Sequence, residues 1–168
     1  EDLFIEYFNQ HPEVKLVIAP HVIDENHLVE IIRKLKRPYV RYTRADEKNV
    51  RKADCLIIDC FGLLSSIYRY GEIAYIGGGF GVGIHNTLEA AVYGIPVIFG
   101  PKYQKFQEAI QLLEAKGAFS VKDYEELKTL IDRMLTDEVF LRESGMNASN
   151  YVTGNAGATD KIMSMINF

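Results

Sequence analysis

The chain reads as an α/β protein built on a Rossmann-like, doubly wound parallel sheet. Short apolar runs rich in Val, Ile and Tyr alternate with helical patterns of ten residues or so along most of its length. One apolar run, Ile73 to Ile76, breaks into the glycine-rich stretch Gly77 to Gly83, which opens directly into a further helical pattern. Strands separated by helices need crossover connections, which favour a parallel sheet covered on both faces.

Taken in order, Leu3 to Asn9 is expected as helix and Lys15 to Ala19 as strand. Glu25 to Lys34 follows as helix with Ile31, Ile32 and Leu35 on its apolar face, then Pro38 to Tyr42 as a short strand. Ala53 to Asp59 is strand, Gly62 to Arg69 helix and Ile73 to Ile76 strand. After the glycine loop a helix runs through Thr87 to Val92, ended by Gly94, and Ile95 to Phe99 is the next buried strand. Lys105 to Ala115 is helix and Ala118 to Val121 strand. Tyr124 to Leu135, Val139 to Tyr151 and Ala158 to Ile166 complete the chain as three successive helices. There is no internal repeat and no low-complexity segment.

The glycine loop is the candidate binding element. Gly78, Gly79, Gly81 and Gly83 let the backbone approach a ligand closely and take positive φ. His85 and Asn86 stand where the next helix begins, so unpaired N–H groups and the positive end of the helix dipole face the loop, an arrangement that favours phosphate. Glu89, about one turn in, is placed to accept hydrogen bonds from sugar hydroxyls. Each has a plainer reading beside the functional one: Asn86 as an N-cap, His85 as a turn residue, Glu89 as a solvated helix residue. Asp59 ends a strand at the edge where α/β proteins bind ligands, and a helix-capping role suits it equally. Tyr68, Tyr70 and Tyr93 read as core or core-rim residues.

The segment IAYIGGGFGVGIHNTLEAAVYGIPVIFGPKYQKF, Ile73 to Phe106, resembles the donor-binding core of the 3-deoxy-D-manno-octulosonic acid (Kdo) transferases of the GT-B glycosyltransferase class. Their pattern is GGS…GGHNPLE followed by GKPVLFGP and a short loop ending in Phe. The match falls on His85, Asn86, Leu88, Glu89, Gly94, Pro96, Val97, Gly100, Pro101 and Phe106. Asp59-Cys60-Phe61-Gly62 with Leu64 is similar to the family's GDTMGEL segment, and Asn155-Ala156-Gly157-Ala158 to its late N-x-G-A. The departures are as specific. Val82 and Ile84 occupy the region where the family carries an Arg, Leu63 stands for the glutamate of GDTMGEL, and Pro20-His21-Val22 replaces the start of a Pro-Arg-His-Pro-Glu-Arg turn. Lys102 and Lys105, after Gly100-Pro101, are candidates to supply the lost positive charge.

The resemblance implies a C-terminal GT-B half that binds the donor CMP-Kdo at Gly78, Gly79, Gly81, Gly83, His85, Asn86, Glu89, Lys102, Lys105 and His21. The acceptor, a lipid A precursor, and the catalytic base would belong to a preceding N-terminal domain, so no catalytic residue is assigned to this chain. The reaction implied is inverting transfer in lipopolysaccharide biosynthesis at the cytoplasmic face of a bacterial inner membrane. No cofactor is expected, and the lack of any Asp-x-Asp motif suits a donor handled without a metal ion. Because the chain opens within a helix that should follow a strand, residues 1–168 are read as a single domain excised from a longer two-domain enzyme, without its first strand. The alternatives are another GT-B glycosyltransferase or nucleotide-sugar epimerase, or a non-catalytic nucleotide-binding module.

Composition agrees with a domain that folds alone: 168 residues, 48% of them hydrophobic, are enough for a real core. A net charge of −4 with both signs interspersed gives no field to attract a nucleic acid. Cys55 and Cys60 flank an apolar strand without metal or redox spacing and are read as a buried, reduced pair. No apolar run reaches the roughly 18 residues of a spanning helix.

Overall fold

The computed structural model describes residues 1–81 and 83–157, so the expected helix Ala158 to Ile166 lies outside the described residues. The chain divides into two compact units, Glu1–Ile67 with Asp123–Lys128, and Tyr68–Lys122 with the residues from Thr129 onward. Each carries a three-stranded, all-parallel sheet, as the alternation of strands and helices requires.

The first unit runs α1 (Asp2–Gln10), β1 (Leu16–Ile18), α2 (Glu25–Lys34), β2 (Tyr39–Arg41), α3 (Glu47–Val50), β3 (Cys55–Ile57) and α4 (Leu64–Ile67), with strand order β1-β3-β2. Helix α2 begins where expected because the Asp24 carboxylate accepts from the amides of Asn26 and His27 at 2.9 and 3.1 Å. Its Leu28 and Ile31 are fully buried, with Ile32 and Leu35 packed at the margin. They meet Ile5 and Phe8 of α1 and the inward residues Leu16, Ile18, Cys55 and Ile57 of the sheet. The opposite face is less covered than a doubly wound pattern predicts: Val17 of β1 is 47% exposed. The turn Tyr42–Arg44 and the short α3, held by a reciprocal Asp46–Asn49 capping box, were not legible from periodicity. Cys55 is buried, and burial pushes its thiol up to about 12; Cys60 is half-buried, and both are free thiols, so the expectation of a buried pair holds for one of the two.

The second unit holds β4 (Ala74–Tyr75), α5 (Leu88–Ala91), β5 (Val97–Phe99), α6 (Gln107–Glu114), β6 (Ala118–Ser120) and α8 (Glu138–Gly154), with strand order β4-β5-β6. Helix α7 (Tyr124–Thr136) contributes residues to both units. Central β5 is buried at Val97, Ile98 and Phe99, while Ala90, Ala91, Ala109 and Leu112 cover one face from the helices. Helix α8 packs close to the turn before β5. A Cβ on Gly145 would come 2.1 Å from the Gly94 carbonyl oxygen, and one on Gly117 2.6 Å from the Ala148 backbone. Gly94 has φ +72, which lets the chain turn between α5 and β5 within five residues.

Candidate functional site

Beyond β4 the backbone does not form an open cradle but doubles back as a tight hairpin. The Gly79 amide donates to the Gly83 carbonyl at 2.7 Å and the His85 amide to Gly77 at 3.2 Å, with Gly78 and Ile84 in an antiparallel bridge. The Lys102 amide, in the loop after β5, donates to the Gly79 carbonyl at 2.8 Å. The hairpin is therefore wired by main chain to the end of the central strand.

The glycines have different reasons to be there. Gly78 and Gly79 take φ of +90 and +75, and Cβ atoms on them would sit 2.0 Å from the Gly83 oxygen and 2.8 Å from the Gly100 backbone. A Cβ on Gly83 would meet the Phe106 ring at 2.8 Å. These three are demanded by packing of the chain on itself. Gly81 is different: a Cβ there would have nothing within 4 Å, so of the predicted glycines it is the one with open space beside it.

Helix α5 starts later and is shorter than expected, only four residues. Asn86 precedes it rather than joining it. Its Oδ1 accepts from the Leu88 amide at 3.0 Å, and its Nδ2 donates to Glu89 Oε1 at 3.0 Å. Asn86 stands one residue before the N-cap Thr87, and the same side-chain amide that accepts from the first helical residue also holds the Glu89 carboxylate. One turn of helix sums few peptide dipoles, so attraction of an anion here must come from exposed amides and nearby side-chain charge more than from a macrodipole. Tyr68 is packed against this unit's core, and burial, followed by the Glu89 carboxylate, pushes its phenol up to about 12. Its hydroxyl is therefore a neutral donor at any physiological pH. The Thr87 hydroxyl, between Asn86 and Leu88, is buried and unpaired among the described residues.

His85 is exposed beside the hairpin, and Lys102 and Lys105 are exposed on the loop after Gly100-Pro101. Among the described residues neither lysine ammonium has an acidic partner, which leaves both charges available to a ligand. His21 belongs to the other compact unit, exposed just past β1. No group of three or more His, Cys, Asp or Glu side chains among the described residues is arranged to hold a metal ion.

A second polar cluster, at the C-terminal edge of the first sheet, is one that sequence reasoning reached only at Asp59. Arg41 Nε donates to Asp59 Oδ2 at 2.8 Å and its Nη1 to both Glu25 oxygens at 2.8 and 3.0 Å. The Thr43 amide and hydroxyl donate to Asp59 at 2.9 and 2.6 Å. Burial alone would raise the Asp59 carboxyl, but the Thr43 and Arg41 donors outweigh it and hold the group at about 2. Asp59 anchors β2 and the following turn through these bonds.

No family model matches the chain. It is 35% identical over 135 residues, 79% of its length, to the 3-deoxy-D-manno-octulosonic acid transferase of Aquifex aeolicus, covering 37% of that protein. It is 28% identical over 163 residues, 90% of its length, to a bifunctional glycosyltransferase/methyltransferase of Fusobacterium nucleatum, covering 26% of it. The chain thus spans between a quarter and two fifths of the relatives it matches. In structure it is similar to the C-terminal CMP-Kdo binding domain of WaaA from Acinetobacter baumannii, with a TM-score of 0.76 at 18% identity over 90% of this chain and 80% of that one.

Proposed function

The chain is a homologue of the 3-deoxy-D-manno-octulosonic acid transferases, and from that premise we propose that it is the donor-binding part of such an enzyme, holding CMP-Kdo for transfer to a lipid A precursor. The observation that carries this reading is the Asn86–Glu89 pair beside the glycine hairpin. It offers an aimed carboxylate for ribose hydroxyls next to a stretch of main chain with open space at Gly81. The two lysine charges, unpaired among the described residues, complete the chemistry: Lys102 and Lys105 follow Gly100-Pro101, the Lys102 amide is bonded to the hairpin, and both would offset the phosphate of the donor.

In this reading the phosphate leaves as CMP when an acceptor hydroxyl attacks the anomeric carbon with inversion. The domain's contribution is to hold the nucleotide and stabilise the negative charge that grows on the leaving phosphate. The base that takes the acceptor proton and the acceptor site lie outside this chain, and no metal ion takes part. The 28% identity to a bifunctional glycosyltransferase/methyltransferase supports a second reading, a domain of another glycosyltransferase with a different nucleotide sugar.

Calorimetric titration with CMP and with UMP separates the two. Clear preference for CMP, lost in Glu89→Ala, is the expected result. Preference for UMP would replace the Kdo reading by the second one, and CMP binding undiminished in Glu89→Ala would remove the ribose role of that carboxylate.

A further inference from the structure

We propose that Phe106 and Phe80 are positioning residues that clamp the glycine hairpin in its ligand-facing conformation, an inference that rests on the nucleotide-sugar reading of that hairpin. Each ring lies against a glycine whose missing Cβ makes the contact possible. The Phe106 ring occupies the space a Gly83 Cβ would need, with ring atoms 2.8 and 2.9 Å from that position. The Phe80 ring does the same at Gly100, with ring atoms 2.7 Å from the Cβ position there. One ring is carried by the hairpin and rests on the loop after β5; the other is carried by the segment that enters α6 and rests on the hairpin. The two contacts are reciprocal and tie both arms to fixed elements. Phe106 is itself anchored, because its carbonyl accepts the amides of Ala109 and Ile110 at the start of α6 and its amide donates to Tyr103 at 2.8 Å.

The physical need for a clamp is plain. A stretch with glycine at 77, 78, 79, 81 and 83 loses more backbone entropy on ordering than any other composition. Three main-chain hydrogen bonds, two internal from Gly79 and His85 and one from the Lys102 amide to the Gly79 carbonyl, hold the hairpin on its Gly79 side. Ring-on-backbone contact at Gly83 and Gly100 adds to that hold without consuming an amide that a phosphate could use. The clamp therefore acts on affinity through the hairpin, and neither ring has to touch the ligand.

A size-swap cycle tests this on the chain itself. Gly83→Ala pushes the Phe106 ring off its seat, Phe106→Leu removes the ring atoms that sit there, and the double variant refills the gap with the new methyl group. Each single variant is expected to speed hydrogen exchange at the Gly79 and His85 amides and to weaken CMP binding about tenfold. The double is expected to return both to within about threefold of the parent. Exchange unchanged in the single variants, or losses of affinity that multiply in the double instead of cancelling, would overturn the clamp. Faster exchange with unaltered CMP affinity would reduce the rings to packing and equally overturn the positioning role. If the parent chain bound no CMP while the exchange pattern followed the cycle, the donor reading would fall and the clamp would stand.

Discussion

Substitution at Asn86 separates two jobs that one side chain performs, and the structure sets the size of each. Asn86→Ala removes the Oδ1 that accepts from Leu88 and the Nδ2 that donates to Glu89. Loss of the cap costs about 1 kcal/mol, and the freed carboxylate forfeits a charge-assisted bond of about the same size. At roughly 2–4 °C per kcal/mol for a chain of this length, the midpoint should drop by about 4–8 °C. Asn86→Asp keeps the Oδ1 acceptor, so the cap survives, but it puts a second carboxylate 3.0 Å from Glu89 in place of a donor. Its midpoint should fall by less than that of Asn86→Ala, whereas its CMP affinity should fall by more, about tenfold or above, because Glu89 is repelled from its aimed position. Differential scanning fluorimetry and calorimetric titration read the two quantities separately. An aspartate variant that bound CMP like the parent would refute the reasoning that Asn86 aims Glu89, whatever the stability data showed.

Three further outcomes are expected. Gly145→Ala should destabilise by about 2–3 kcal/mol or more in urea, since its Cβ would lie 2.1 Å from the Gly94 oxygen and neither backbone can yield cheaply; a loss below 1 kcal/mol would mean that α8 shifts freely. The Asp59 carboxyl is lower in the folded chain than in the unfolded one, so its contribution is present above pH ~4 and is lost as pH falls toward about 2; Asp59→Asn should flatten that part of an acid-unfolding curve, and a curve of unchanged shape would remove the Arg41–Thr43 network as its cause. Lys102→Ser with Lys105→Ser should weaken CMP binding several-fold and reduce its salt dependence, and identical affinity at low and high salt would deny these lysines the role of the family's missing arginine.

How much of this was written locally varies along the chain. Helix α2 was legible end to end because its cap, its 3.6-residue apolar period and its basic last turn all lie within ten or so residues. The glycine run announced a loop before a helix, but not its form. Its own Gly79–Gly83 and His85–Gly77 bonds fold it into a hairpin, and what seats that hairpin is a bond from Lys102 and a ring from Phe106, each more than twenty residues downstream, contacts that no local pattern encodes. Helix α5 was overextended for the same reason: Asn86 satisfies the Leu88 amide from outside the helix, and the Gly94 turn must meet α8. Asp59 was noticed at its strand end, yet its partners Arg41 and Thr43 sit 18 and 16 positions earlier, and only the pairing of β2 with β3 brings them within reach.

Arg37 carries a consequence for how such a chain can change over time. Its guanidinium donates to the carbonyls of Phe8, His11 and Val14 through Nη1 and to Pro12 through Nη2, and lies 4.0 Å over the Phe8 ring. The connection from α1 to β1 is thus shaped by a residue more than twenty positions away, and its own letters hold little of the instruction. A lysine could not replace it, since a single ammonium lacks the planar fork that reaches several oxygens at once. Insertions or deletions between residues 9 and 15 should therefore be inherited together with loss of this arginine, so that among descendants the length of one loop and the identity of a distant side chain travel as a single character.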